Sequence, residues 1–190
     1  MKTPVKFPSS KEVEKATAIF KKGGVVVFPT DTVFGIGCVY DNSQAVQRIY
    51  KIKNRPRLPM PILIASKKDL ANLGCQISNQ AKDLIDRYWP GALTLILNCS
   101  HDKVGLRMPN YLPLLDLIRK VGKPIIGTSA NFHGDDPPTK DKNLDNDFKA
   151  LVDFVLPGEC ILKKESTVID CTLRPIKIVR HGACKVVFNI

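Results

Sequence analysis

FPTDTVFGIG, residues 28–37, interrupts an apolar run with three small polar side chains. It follows Gly-Gly-Val-Val-Val, so an apolar strand over 25–28 stops abruptly at Thr30, Asp31 and Thr32. Small hydrogen-bonding side chains at the mouth of a buried strand mark the place where open α/β sheets hold their ligands. The stretch has neither the Gly-x-Gly-x-x-Gly fingerprint of a dinucleotide fold nor the Gly-Lys-Ser/Thr ending of a P-loop. The commonest phosphate loops are therefore excluded.

Upstream, Ser9-Ser10-Lys11-Glu12 has the form of a capping box, and Val13, Ala16 and Phe20 recur at helical spacing up to Gly23-Gly24. Downstream, Asn42-Ser43 can cap a second helix with Ala45, Val46, Ile49 and Tyr50 on its apolar face. Residues 61–65 (PILIA) predict a buried strand and 67–73 a short helix. A helix over 81–88 must stop at Trp89-Pro90-Gly91, where proline cannot continue it. Strands are expected over 93–97, 104–108, 124–126, 151–156, 167–170 and 176–179, with an amphipathic helix over 113–121 ending at Gly122. HGDDPPTKDKNLDNDF, residues 133–148, reads as a long mobile loop over a site. Strands alternate with helices early and cluster late. That pattern predicts an α/β (α+β-like mixed) fold, a twisted mixed sheet of parallel and antiparallel strands with helices packed on it.

The chain has 190 residues, which suits a single domain over 1–190. Neither a secretory h-region nor an apolar run of roughly 20 residues is present. A cytoplasmic protein without a membrane partner is expected. Cysteines at 38, 75, 99, 160, 171 and 184 form no Cys-x-x-Cys pair and sit partly in apolar runs, which predicts reduced, partly buried thiols. With only three histidines and no ligand-like spacing, a zinc site is not expected. Lys plus Arg total 29 against 18 acids, a net charge of +11. Such an excess suits nucleotide phosphates, a transfer RNA or both; mere solubility is the plain alternative.

Four segments repeat the design of the opening one, an apolar strand running into polar or basic residues: 28–32, 106–107, 126–131 and 165–167. A fifth feature is the acid-free series Arg48, Lys51, Lys53, Arg55 and Arg57, where Pro56 turns Lys53 and Arg55 into a position to hold phosphate. Each piece also has a plain structural reading. Thr-Asp-Thr is a common turn or helix cap, the basic series complements a helix dipole, and Trp89 reads as core. Arg107 and Arg180 each close an apolar strand, where a charge is usually paired.

Taken in order, PTDTVFG, KNRP, WPGALT, LRMP, GTSAN, ESTVID and IVRHGA resemble the successive motifs of the YrdC-like (TsaC) family of threonylcarbamoyl-AMP synthases, over roughly residues 10 to 185. The resemblance implies a basic concave face. It implies synthesis of L-threonylcarbamoyladenylate from L-threonine, bicarbonate or CO2 and ATP, with Mg²⁺ and release of pyrophosphate. The product would serve threonylcarbamoylation of adenosine 37 in ANN-decoding tRNAs, passing to a TsaD-containing complex. Carried onto this chain, Lys53, Arg55, Ser129, Asn131 and Arg180 are the implied ATP-binding residues. Thr32, Arg107 and Ser166 would hold threonine, and Thr30, Asp31 and Thr167 would line the pocket. Asp31 either orients the turn or assists a metal whose ligands are not specified. No covalent nucleophile is implied. A noncatalytic RNA-binding or ribosome-associated module of the same fold is the alternative.

The departures from the pattern are small. Phe34 stands where tyrosine is common, Ala92 replaces a proline, Ile64 occupies a position where some members have histidine, and His181 replaces a proline after Arg180. The chain stops soon after the core, so the extra C-terminal domain of longer synthases is expected to be absent.

Overall fold

The computed structural model describes residues 5–54, 59–100 and 102–188. Arg55, with Pro56 and Arg57, lies outside the described residues. Helix α1 (Ser10–Lys21) starts on the expected capping box: Ser9 accepts from the Glu12 amide while the Glu12 carboxylate accepts from the Ser9 amide. Helix α2 (Ser43–Lys53) is capped by Asn42 and ends at Asn54, a left-handed residue with φ of 44°. The short helix α3 spans Asp69–Asn72, α4 spans Asn79–Tyr88, and α5 (Leu112–Val121) ends on left-handed Gly122. Trp89 is core, as expected, and its indole N–H donates to the Leu93 carbonyl.

Strands β1 (Val26–Phe28), β2 (Gly35–Gly37), β7 (Thr128–Ser129) and β8 (Phe154–Val155) form one sheet, ordered β7-β2-β1-β8. Strands β3 (Ile62–Leu63), β4 (Leu93–Cys99), β5 (Asp102–Arg107), β6 (Ile125–Ile126), β9 (Thr167–Asp170) and β10 (Lys177–Arg180) form the second, ordered β10-β9-β4-β5-β3-β6. Both sheets mix parallel and antiparallel pairs. The expected single sheet is thus divided. The chain passes from the second sheet to the first at Gly127, whose added Cβ would run into Leu63.

One core lies under α1 and α5 and includes Phe20, Phe28, Leu63, Leu114 and Leu117. The other packs α2 and α4 against the sheets through Ile49, Ile64, Leu84, Leu95 and Phe148. The stretch 133–148 is not one long loop. It contains a 3-10 turn at Asp141–Asn143 and leads into helix α6 (Asn146–Ala150), which Asp145 caps by accepting from the Phe148 amide. Phe148 is fully buried and packs edge-on to Phe132, and with buried Leu144 it ties a segment that composition marks as polar to the core.

The thiols also depart from expectation. An antiparallel bridge sets Cys75 opposite Cys99, and the two form a disulfide. Their separation of 24 residues hides that proximity in the sequence. Cys38, Cys160, Cys171 and Cys184 remain free.

Candidate active site

The opening stretch becomes a strand, a turn and a second strand. Phe28 pairs with Gly35 and Val26 with Gly37 in antiparallel register. The Phe28 ring lies over both glycines, where an added Cβ would meet it at 2.9 Å on each. On Gly37 the Cβ would also drive into the Ile126 carbonyl of the other sheet. The glycines therefore let the two sheets close, and the turn between β1 and β2 presents Thr30, Asp31 and Thr32 where the sheets meet.

A cavity of about 830 Å³ opens there. Its walls include Thr30 and Thr32 from the turn, Thr94, Ile96, Lys103, Gly105 and Arg107 from β4 and β5, and Thr128 and Ser129 from β7. Glu165, Ser166, Val168, Asp170 and Arg180 add to them from β9, β10 and the chain before β9. The four strand tips expected to converge do so.

Arg107 is the most constrained group. Its Nε donates to the Gly91 carbonyl at 3.0 Å, Nη1 to Thr32 Oγ1 at 2.9 Å, and Nη2 to Asp31 Oδ1, an ion pair buried at both ends. Burial lowers the guanidinium pKa and Asp31 opposes that shift, while nearby Arg180 adds to it. Asp31 thus orients an arginine; its second oxygen, Oδ2, is buried without a hydrogen-bond partner. Thr30 donates to the Val33 carbonyl at 2.8 Å and accepts from the Thr32 amide at 2.9 Å, which closes the turn.

On the opposite wall Arg180 donates through Nη1 to Glu165 at 2.7 Å, through Nε to the Ser166 carbonyl at 3.1 Å and through Nη2 to Ser166 Oγ at 3.2 Å. Ser166 Oγ in turn lies 2.8 Å from Thr94 Oγ1. Gly182 lets the chain after β10 lie against Ser166, and its amide donates to Thr167 Oγ1 at 2.9 Å.

The cavity does not collect every residue singled out in the sequence. Lys53 points beneath the wall and donates to the carbonyls of Ser129 and Asn131, bracing the backbone of that motif. Asn131 directs its amide to the Phe132 and Asp135 carbonyls at 2.8 Å. Thr167 donates to the Cys184 carbonyl, and Asp31 stands behind Arg107. Arg48, from the basic series, pairs with Asp153 at 2.6 Å. Sequence reasoning missed Thr94, Lys103, Gly105, Thr128, His133 and Asp170 as cavity lining. For Thr94 a signal existed: a lone hydroxyl inside the apolar run LTLIL.

Among the described residues, no group of three or more His, Cys, Asp or Glu is placed to hold a metal ion, and no helix is long and apolar enough to cross a membrane.

Residues 18–182 match the family model Sua5/yciO/yrdC, described as telomere recombination. A threonylcarbamoyl-AMP synthase of Bacillus subtilis is 37% identical over 173 residues, covering 84% of this chain and 50% of that protein. Among solved structures, Pyrococcus abyssi Sua5 complexed with L-threonine superposes with a TM-score of 0.85 at 36% identity, over 90% of this chain and 54% of that one. YciO of E. coli superposes with a TM-score of 0.84 at 25% identity, over 94% of this chain and 92% of its own. The chain spans about half the length of the curated relatives from Bacillus subtilis and Pyrococcus abyssi.

Proposed function

Since the chain belongs to the Sua5/YciO/YrdC family, we propose that it is a threonylcarbamoyl-AMP synthase, a nucleotidyltransferase that joins L-threonine, CO2 or bicarbonate and ATP. One observation carries this reading: two arginines at the ends of different strands, Arg107 and Arg180, face one cavity across a floor of hydroxyls. A small amino acid and a nucleotide need such a pair of anion-holding walls.

The chemistry has two steps. The threonine amine, unprotonated, forms a C–N bond to the carbon of CO2; one C=O electron pair moves to oxygen and the amine releases a proton. A carbamate oxygen then attacks the α-phosphorus of ATP, and the bond to the bridging oxygen breaks with pyrophosphate as leaving group. Positioning and charge neutralisation suffice for both steps, and no covalent enzyme intermediate is needed.

Arg107 carries five N–H groups and uses three on Gly91, Thr32 and Asp31. Two remain for the threonine carboxylate. Because Asp31 holds the guanidinium from behind, the fork is fixed before substrate arrives, which lowers the ordering cost of binding. Thr32 and Ser166 would contact the threonine, with Thr30 lining the pocket. Arg180, Ser129 and, from outside the described residues, Arg55 would hold the phosphates. Lys53 and Asn131 would act there through the loop that carries Ser129, and Thr167 through the packing of Ser166. Mg²⁺ enters with ATP as part of the substrate, and no step is assigned to a protein-held ion.

An adenylate formed this way would feed threonylcarbamoyl transfer to adenosine 37 of ANN-decoding tRNAs through a TsaD-containing complex in the cytoplasm. The likeness to a Sua5 complexed with L-threonine supports the enzymatic reading over a noncatalytic RNA module. Phe28 and Phe34 border the cavity but are fully buried, so neither offers a face on which an unpaired base could stack. The test is pyrophosphate release from Mg²⁺-ATP, with threonylcarbamoyl-AMP identified by mass. Release should require threonine and bicarbonate together. Release indifferent to threonine would refute the reading.

A further inference from the structure

We propose that Thr94 is a substrate-binding residue that donates a hydrogen bond to the oxygen of the CO2-derived carbamate, at the point where the threonine and nucleotide halves of the reaction meet. The inference rests on the synthase reading above and adds to it a residue and a ligand atom.

Hydrogen-bond accounting at the two hydroxyl pairs of the cavity leads to Thr94. A hydroxyl has one proton and two lone pairs. Thr30 gives its proton to the Val33 carbonyl, so in the contact with Thr32 it must accept. Thr32 therefore donates to Thr30 while accepting from Arg107, and presents only a lone pair to the cavity. That hydroxyl pair can receive a proton from a substrate N–H or O–H and cannot supply one.

The second pair has the opposite polarity. Arg180 can only donate, so Ser166 Oγ accepts from it. The Thr94–Ser166 contact uses one of the pair's two protons, which leaves one for a ligand. A chain running in one direction, Arg180 to Ser166 to Thr94, is favoured because each bond polarises the next. The free proton then belongs to Thr94, which is 3% exposed and borders the cavity. Such a donor, polarised by a guanidinium two links away, seeks an anionic oxygen.

Register shows which oxygen. Thr94 pairs with Val168, and Val168 with Arg180. Leu95 pairs with Leu106, so one step along that antiparallel ladder sets Thr94 across from Arg107. Arg107, Thr94, Val168 and Arg180 form one row across four strands, about 14 Å from end to end at roughly 4.8 Å per strand. With the amino-acid carboxylate at one end and phosphate at the other, the atoms between them are those of the new carbamate. Gly105 and Ile96, in the next row, leave apolar space beside it.

The experiment compares Thr94→Val, which keeps shape and removes the hydroxyl, with Thr94→Ser, which keeps the hydroxyl. Steady-state pyrophosphate release is measured while bicarbonate, threonine and ATP are varied in turn, and melting temperatures are recorded for all proteins. Thr94→Val should lower kcat/KM for bicarbonate at least about tenfold, with the KM for ATP within about twofold. Thr94→Ser should recover most of the loss. An unchanged bicarbonate dependence in Thr94→Val overturns the proposal. So does an equal loss for all three substrates that serine does not rescue, because packing alone would explain it. If Thr94→Val does not fold, Thr94→Ala against Thr94→Ser makes the same comparison. Failure of the wild-type protein to require threonine and bicarbonate refutes the synthase reading instead, and is seen before any variant is made.

Discussion

Arg107 and Arg180 illustrate how one residue type takes different tasks from its surroundings. Arg107 is buried and held on three sides, so its orientation is set before a ligand arrives. Arg107→Lys keeps the charge but loses the planar fork, and should raise the KM for threonine while leaving that for ATP nearly unchanged in steady-state assays. Arg180 is half-exposed and tied to Glu165 and Ser166. Arg180→Ala should cost about 2–4 kcal/mol in kcat/KM, as for a preorganised donor to a developing charge. A loss no larger than that of a surface lysine variant such as Lys149→Ala would show Arg180 to be only a solvated strand end. Selectivity belongs to the same scale. Hydroxyls that pair with the substrate's own hydroxyl are left unpaired by valine, whereas serine omits only a methyl, worth about 1–3 kcal/mol. The kcat/KM order threonine, serine, valine is expected; equal turnover of serine and valine would show that the hydroxyl is not read.

At the scale of elements, the β1–β2 hairpin depends on two positions without side chains. Gly37 faces the Phe28 ring on its own sheet and the Ile126 carbonyl on the other. Neither neighbour can withdraw cheaply, since one is a fully buried ring and the other is backbone. Gly37→Ala should therefore cost about 2–3 kcal/mol, read as a shift of the urea midpoint, and should weaken the site by parting the two sheets. Asp153 performs a comparable service at the start of β1. Its Oδ2 accepts from the Val25 amide at 2.7 Å and from Arg48 at 2.6 Å. Burial pushes this carboxyl upward, but those two donors outweigh it and hold its pKa below the ordinary aspartate value. The unfolded chain then binds more protons than the folded one as pH falls through the acid range, so the contribution is present above about pH 4 and lost below it. Asp153→Asn should lower the melting temperature at pH 7 and shrink the difference between pH 7 and pH 3; an undiminished acid limb would exclude Asp153 as a contributor.

For the molecule as a whole, the cysteines provide a direct check on the tertiary arrangement. Burial pushes the thiols of Cys38 and Cys160 up to about 12 and that of Cys171 to about 11. Native protein at pH 8 should consequently react slowly with an alkylating reagent at these positions, because the thiolate is the nucleophile. Denatured without reductant, the chain should show four reactive thiols, and with reductant six, consistent with Cys75 joined to Cys99. Six without reductant would refute the pairing.

Much of this was legible in the one-dimensional order of residues. Capping boxes, helical periodicity and proline stops are local, and α1, α2, α4 and α5 appear where those signals place them. The four polar strand tips were legible too, because hydroxyls and arginines closing apolar runs must find partners. The division into two sheets was not. It depends on Gly127 and on strands of two or three residues, β2 and β7, too short to show a period. Residues 133–148 read as mobile because two buried apolar residues weigh little in composition, yet Leu144 and Phe148 pack into the core and the Pro138 carbonyl accepts from the Phe34 amide. The same holds at the site. Which side chains can bind anions is read from residue type alone, but which of them face the cavity follows from how distant strands meet. Lys53 and Thr167 bond to backbone carbonyls far along the chain, and Asp31 turns to Arg107. The reason is physical: a buried polar group must satisfy its hydrogen bonds with whatever lies closest, and what lies closest is set by chain segments distant in sequence.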